Sequence, residues 1–109
     1  MNGAVCEVEV VEGDGGPMLV VVRGDLDDAC TAMLHDALER VSRNRRREVV
    51  VDLGAAEFLD SAVLSVLVEH AHRLHERDAD LVLQSPSRIV STVIDLTRTR
   101  HLFRIRETV

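Results

Sequence analysis

Apolar and polar positions alternate in ways that predict strands and helices in turn along the 109-residue chain. Residues 4–11 alternate with a period of two, which is typical of a strand with one side facing solvent. Turn-forming residues over 12–17 separate this strand from the apolar run 18–22. Two strands joined by such a short connection predict an antiparallel hairpin.

Two helices and a buried strand are predicted in the centre of the chain. Apolar residues at helical spacing indicate a first helix over 28–43, with acidic residues in its first turn. Residues 48–53 are apolar on both faces, as in a central strand that is covered on both sides. A second helix over 61–77 has one broad apolar face, and Ser61 lies on the opposite side, so we expect Ser61 to be accessible.

The remaining elements complete an α/β pattern. Residues 80–84 predict a short strand, and Ser85-Pro86 predicts the start of a third helix, in which serine caps and proline fills the first position. This helix is expected to end near Thr97, and residues 102–105 form a last strand or a docked segment. The order predicts one domain over residues 1–109, with a mixed, mostly parallel sheet of four to five strands, an N-terminal antiparallel hairpin, and three or more helices.

Acidic and hydroxyl side chains follow two of the predicted strands. Asp25 and Asp27 come after the second strand, and Asp60 and Ser61 after the third. Functional groups in such sheets gather at the carboxyl ends of the strands, so we expect these two segments to be neighbours. Asp60 or Ser61 alone also suits a simple helix cap, which is the commoner role for such residues.

Composition and charge limit the classes of partner. Apolar residues make up 46% of the chain and charged residues 29%, as in ordinary globular proteins. The net charge is −6, and Phe58 and Phe103 are the only aromatic residues of the sequence. An acidic chain with few stacking groups is unsuited to nucleic acid, so we expect a protein partner.

Location and cysteine chemistry are predicted from short-range features. The apolar runs are too short to cross a bilayer, and residues 1–10 lack the features of a signal peptide, which predicts a cytoplasmic protein without membrane insertion. Cys6 and Cys30 form no CxxC pair, and each falls on an apolar stripe. We therefore expect two buried, reduced thiols rather than a disulfide.

Three rival chemistries find little support in the sequence. Asp52 at the end of a strand is similar to a response-regulator phosphoacceptor, but that class needs a lysine and this chain has none. His70, His72 and His75 do not converge on one helical face, so no metal site is predicted. Ser61 has no evident base partner, and we predict neither an enzyme nor a cofactor.

Five short segments, in this order and at this spacing, resemble the STAS domain family, and in particular its stand-alone anti-sigma factor antagonists. The segments are Gly24–Asp27, Val51–Leu53, Phe58–Leu64, Leu81–Pro86 and Leu96–Phe103. Phe58–Leu64 is similar to the family's Phe-Ile-Asp-Ser-Ser/Thr-Gly-Leu. The chain departs from the family pattern at Ala62, at Val63 and at Arg98; the last two stand where the family has glycine.

The resemblance implies a partner-switching role. Ser61 would be phosphorylated by an anti-sigma factor that is a serine kinase with a GHKL-type ATP site, and a serine phosphatase would reset it. The unphosphorylated form would bind the anti-sigma factor and free a sigma factor for transcription. The implied partner-binding residues are Asp25, Asp27, Asp60, Ser61, Ala62 and Val63. The alternative is a STAS interaction module that is not phosphorylated, in a signalling assembly or a transporter complex; the resemblance specifies no oligomeric state.

Overall fold

The computed structural model describes residues 6–12, 19–43 and 46–107. Within these residues the chain forms five strands and three α-helices, joined in part by 3-10 turns at Asp28–Cys30 and Arg100–Leu102. The strands are β1 (Glu7–Val11), β2 (Leu19–Leu26), β3 (Glu48–Leu59), β4 (Asp80–Gln84) and β5 (Arg104–Arg106). The helices are α1 (Thr31–Ser42), α2 (Ser61–His75) and α3 (Arg88–Leu96).

The strands form one sheet in the order β1-β2-β3-β4-β5. β1 and β2 are antiparallel, and every later neighbour pair is parallel. This arrangement confirms the predicted α/β fold with its N-terminal hairpin. The part of the connection that spans residues 13–18 lies outside the described residues, as do residues 4 and 5 of the predicted first strand.

The core lies where the helices pack on the sheet. α1 packs against α2 and against the hairpin strands, while α2 also contacts β4 and α3 contacts β3. The side chains inside are almost all aliphatic. Fully buried examples are Val20, Val22, Leu34, Leu38, Leu67, Leu81, Leu83 and Ile94. No helix in the described part of the chain is long and apolar enough to cross a membrane.

β2 and β3 extend further than the sequence pattern predicted. The small residues 54–56 lie beyond the predicted strand 48–53, but they continue β3, and Ala55 and Ala56 pair with the end of β2. The pairing shifts register on both sides of Gly24, which has a φ of 92°. Glycine adopts this conformation without steric cost, so the strands stay paired through the irregularity up to Leu26 and Leu59.

The start of α3 differs from the prediction. The N-cap is Ser87, whose hydroxyl accepts a hydrogen bond from the Val90 N–H at 3.3 Å. Ser85 instead has a φ of 55°, and its N–H donates to the Arg106 carbonyl at 2.7 Å. Either serine is a suitable helix cap. Ser87 takes this role because the backbone of Ser85 is hydrogen-bonded to β5, which pairs beside β4.

The expectation of two separate thiols is wrong. Cys6 and Cys30 form a disulfide with their Cα atoms 5.9 Å apart, a separation within the usual range. Cys6 immediately precedes β1, and Cys30 ends the 3-10 turn that leads into α1. The packing of α1 on β1 brings the two sulfur atoms together across 24 residues of sequence.

α3 ends in a Schellman motif without glycine. The Thr99 N–H donates to the Ile94 carbonyl and the Arg98 N–H to the Asp95 carbonyl, both at 3.2 Å. Arg98 occupies the left-handed position of this motif, with a φ of 58°. The backbone therefore follows the path that glycine prefers, although an arginine occupies the position.

Candidate functional site

The carboxyl ends of β2 and β3 meet at one rim of the sheet. The Asp60 N–H donates to the Leu26 carbonyl at 3.0 Å, and Asp25 pairs in register with Phe58. The acidic segments that follow the two strands are therefore neighbours, as expected for parallel strands. Hydrogen bonds hold them together although more than thirty residues of sequence separate them.

Asp60 caps the start of α2. Its Oδ1 accepts the Val63 N–H at 3.0 Å, and its carbonyl accepts the Leu64 N–H at 3.0 Å. Ser61 is the first residue of the helix and is exposed; its carbonyl accepts the Ser65 hydroxyl at 2.9 Å. Because Asp60 supplies the capping oxygen, the helix start does not need the hydroxyl of Ser61.

Asp27 and Asp25 lie beside this helix start. Asp27 is exposed, and its Oδ1 accepts the Ala29 N–H at 3.1 Å, which caps the 3-10 turn. Its own N–H donates to the Asp25 carbonyl at 3.0 Å, and Asp25 itself is half-buried. The two carboxylates are thus placed on a short, hydrogen-bonded turn at the end of β2.

Ala62 and Val63 differ in their access to a partner. Ala62 is half-buried, whereas Val63 is 0% exposed and belongs to the hydrophobic core. The family resemblance implies that Val63 binds the partner. Its side chain instead lies beneath the surface, since it points to the opposite side of α2 from the exposed Ser61. We therefore assign it to the core and not to a docking surface.

An exposed aromatic side chain, which is not among the site residues predicted from the sequence, completes this rim. Phe58 is 46% exposed, two residues before the helix cap. We call the resulting patch the rim surface. It consists of Asp25, Asp27, Phe58, Asp60, Ser61 and Ala62. The alternation of β3 was the available signal, since extending the strand to Leu59 turns Leu59 inward and Phe58 outward.

An open groove of about 610 Å³ lies next to the rim surface. The stretch of β3 that precedes Phe58 forms one wall, and the first residues of α3 form the other. Ile89 lies in this second wall and is 55% exposed. The rim therefore combines carboxylates with an adjoining apolar surface.

Asp52, the candidate of the response-regulator hypothesis, is engaged locally. Its Oδ1 accepts the Gly54 N–H at 2.8 Å, and its Oδ2 accepts the Gln84 amide at 3.4 Å. The side chain is half-buried, between β3 and the neighbouring β4. These contacts give Asp52 a structural role in joining β3 to β4.

Comparison with known proteins identifies the fold family. The model of the STAS domain matches residues 7–109. The chain belongs to the STAS domain family.

Individual STAS proteins resemble it over most of its length. A STAS-domain containing protein of Pseudomonas aeruginosa is 30% identical over 92 residues, which are 84% of this chain and 90% of that protein. The crystal structure of an anti-sigma factor antagonist from Mycobacterium paratuberculosis matches with a TM-score of 0.83 and 25% identity, covering 96% of this chain and 88% of the other. The anti-sigma factor antagonist SpoIIAA, in its unphosphorylated form, shares the fold with a TM-score of 0.79 and 12% identity, over 94% and 89% of the two chains.

This STAS domain also has a polar cluster between α1 and α2, away from the rim surface. The Nε2 atom of His70 lies 3.2 Å from Nδ1 of His35 and 4.0 Å from Oε1 of Glu39. Arg73 forms an ion pair with Glu39. His35 and His70 lie on two different helices, so no local spacing along the chain relates them and the sequence predicts no such cluster.

Burial and charge both act on the titration of this cluster. Burial lowers the pKa of His70, which is 1% exposed, and the nearby charges of Arg73 and His35 act in the same direction. The hydrogen bond from Arg73 lowers the pKa of Glu39. At neutral pH the cluster therefore holds a neutral His70 beside an ionised Glu39.

Proposed function

We propose that this STAS domain is an anti-sigma factor antagonist whose binding is switched off by phosphorylation of Ser61. The supporting observation is that Asp60 and Ser61 have different roles at the start of α2. Asp60 caps the helix, and the adjacent Ser61 presents an exposed hydroxyl that the fold does not need. The similarity to the antagonist from Mycobacterium paratuberculosis supports the general role.

The rim surface suits a protein partner. Phe58 offers an exposed apolar contact, and Asp25, Asp27 and Asp60 add carboxylates on the same rim. Interfaces commonly combine an apolar centre with a polar rim, and complementary charge sets their specificity. We therefore expect the anti-sigma factor to present an apolar pocket to Phe58 and basic groups to the carboxylates, with no basic side chain opposite Ser61.

Phosphorylation would change binding without unfolding the domain. A phosphoserine carries about −1.5 to −2 charges at neutral pH, and the N-terminus of a helix stabilises an anion by roughly 0.3 to 1 kcal/mol. The same group would add bulk and negative charge beside Asp60. The modified domain should therefore remain folded while its affinity for the partner falls.

If phosphorylation is to lower the affinity for the partner a thousandfold, Ser61 must be buried in the complex. A thousandfold loss of affinity corresponds to about 4 kcal/mol. An exposed charge pair supplies about 0 to 1 kcal/mol, which is too little. A phosphate that must be desolvated inside the interface can account for the difference, because burying an unpaired charge costs several kcal/mol.

The proposal includes the enzymes that act on Ser61. The anti-sigma factor would itself be a GHKL-type serine kinase, and a serine phosphatase would remove the phosphate. The domain would be the substrate of both enzymes and would release a cytoplasmic sigma factor when unmodified. Mass spectrometry after incubation with the kinase and ATP should therefore find one phosphate, on Ser61.

Two matched substitutions test the switch. Ser61→Asp is expected to lose most of its affinity for the anti-sigma factor, measured by calorimetry, while its thermal unfolding stays close to that of the wild type. Ser65→Asp is the control, since Ser65 is also exposed and lies one helical turn away. Unchanged binding by Ser61→Asp would overturn the switch.

A pull-down from the native cell, with and without phosphatase treatment, separates this function from the alternative. Recovery of an ATP-binding anti-sigma factor that depends on phosphatase treatment supports the antagonist. Recovery of a membrane permease, independent of phosphatase, supports a STAS module of a transporter complex. Phosphosite mapping of the recovered chain then reports directly on Ser61.

A further inference from the structure

The polar cluster between α1 and α2 has the composition of a metal-binding site. His35, Glu39 and His70 each offer one potential ligand atom, and these atoms all lie within 4.8 Å of one another. We propose that these three side chains bind a divalent transition-metal ion of the zinc type. This site is separate from the rim surface, and the proposal does not depend on the function proposed above.

The distances are close to those of a loaded site. Zinc binds nitrogen and oxygen at about 2.0 to 2.2 Å in a tetrahedron, so its ligand atoms lie roughly 3.4 Å apart. Here His70 Nε2 lies 3.2 Å from His35 Nδ1 and 4.0 Å from Glu39 Oε1. His35 approaches Glu39 Oε1 at 3.9 Å through its other ring nitrogen, Nε2, so metal binding requires His35 and Glu39 to rotate while the buried His70 stays in place.

The backbone already holds the ligands in place. His35 and Glu39 are four residues apart on α1, so they project from the same face of the helix. His70 approaches from α2 and is 1% exposed, which restricts its side chain to one position. Two helices that pack against each other thus offer two imidazoles and one carboxylate, and a water molecule can complete the coordination.

The donor set selects the kind of metal. Imidazole nitrogen suits zinc, copper, nickel and iron, whereas calcium and magnesium prefer ligand sets made of oxygen alone. Two histidines and a glutamate are one of the ligand sets that zinc uses in proteins. The cluster should therefore discriminate against calcium and magnesium.

Arg73 competes with a metal ion for the same carboxylate. It forms an ion pair with Oε1 of Glu39, and its side chain is 47% exposed. Metal binding must move this guanidinium toward solvent or restrict it to one carboxylate oxygen. Removing the arginine should therefore strengthen metal binding, whereas a purely structural ion pair predicts no such gain.

The test is a metal titration of the untagged, chelator-treated protein. Calorimetry with Zn²⁺ should show one equivalent bound, and Co²⁺ should develop the visible absorption of a four-coordinate ion. Thermal unfolding should shift upward with Zn²⁺, because ligands that bind the native state stabilise it. Absence of saturable binding would overturn the proposal.

Substitutions locate the site. His35→Ala and Glu39→Gln should each weaken Zn²⁺ binding by at least about tenfold, since even second-sphere changes cost 10- to 100-fold. Neither residue is buried, so both variants should fold. Arg73→Ala should bind more tightly than the wild type. His72→Ala, on the exposed face of α2, is the control; a loss there equal to that of His35→Ala would indicate adventitious surface binding and overturn the assignment.

Discussion

Arg98 occupies a position of the chain that favours glycine, so Arg98→Gly should stabilise the protein. The residue follows the C-cap of α3 with a φ of 58°, inside a Schellman motif whose two hydrogen bonds are both formed. An L-residue with a side chain pays roughly 1 to 2 kcal/mol for this left-handed conformation, and glycine does not. The side chain of Arg98 is exposed, so its removal leaves the core unchanged.

The unfolded state reduces this gain. Glycine has more freedom in the unfolded chain than other residues, which costs about 0.4 to 1 kcal/mol on folding. Subtracting this cost leaves a net stabilisation of about 0 to 1.6 kcal/mol, with a midpoint of about 0.8 kcal/mol. For a domain of this size, 1 kcal/mol shifts the melting temperature by roughly 4 to 8 °C, so the midpoint corresponds to a rise of about 3 to 6 °C.

Thermal and urea unfolding followed by circular dichroism measure this effect. Arg98→Ala is the matched control, because alanine removes the same charge and chain but keeps the backbone strain. We expect the free energy of unfolding of Arg98→Gly to exceed that of Arg98→Ala by the whole of this net stabilisation. Equal stability of the two variants would show that the left-handed conformation carries no cost here, and would refute the reasoning.

Two further predictions concern the disulfide and the buried histidine. Reduction of the Cys6–Cys30 disulfide should lower the free energy of unfolding by about 3 to 4 kcal/mol, which is the loop-closure value for a separation of 24 residues. The stability of Cys6→Ser should not change with reductant. If the stability of the wild type is equally unaffected by reductant, the bond does not form. Because burial lowers the pKa of His70 below its ordinary value of 6.5, the unfolded state binds the proton more readily. The stability contributed by the neutral His70 should therefore be fully present above pH 6.5 and be lost as the pH falls from 6.5 through the lower pKa of the folded state. Urea unfolding between about pH 5 and 8 should show a shallower acid decline for His70→Gln and an unchanged decline for the exposed His72→Gln; a decline as steep in His70→Gln would assign the effect to other groups.

The sequence predicted the features that depend on local periodicity. The order of strands and helices follows from the spacing of apolar residues, and the parallel sheet then places Asp25 beside Asp60 by a general rule of such folds. The exposure of Ser61 follows from the helical wheel in the same way. These predictions needed one element, or one rule about neighbouring elements, at a time.

Features decided by contacts between distant segments were missed. The small residues of 54–56 lack strand character alone and become part of β3 only through their pairing with β2. Ser85 and Ser87 suit a cap equally, and the backbone contact of Ser85 with β5 makes the choice. His35 and His70 meet across two helices, so no spacing along the chain relates them.

The extension of β3 beyond its partner β4 has a consequence for how the rim can change. β3 pairs with β4 only as far as Asp52, and the residues beyond it pair with β2 alone, up to Leu26 and Leu59. These two leucines are 0% and 2% exposed and secure the tip of this ribbon to the core. Substitutions at the exposed rim positions therefore leave the central pairing intact, so the chemistry of this surface can change while the scaffold is kept.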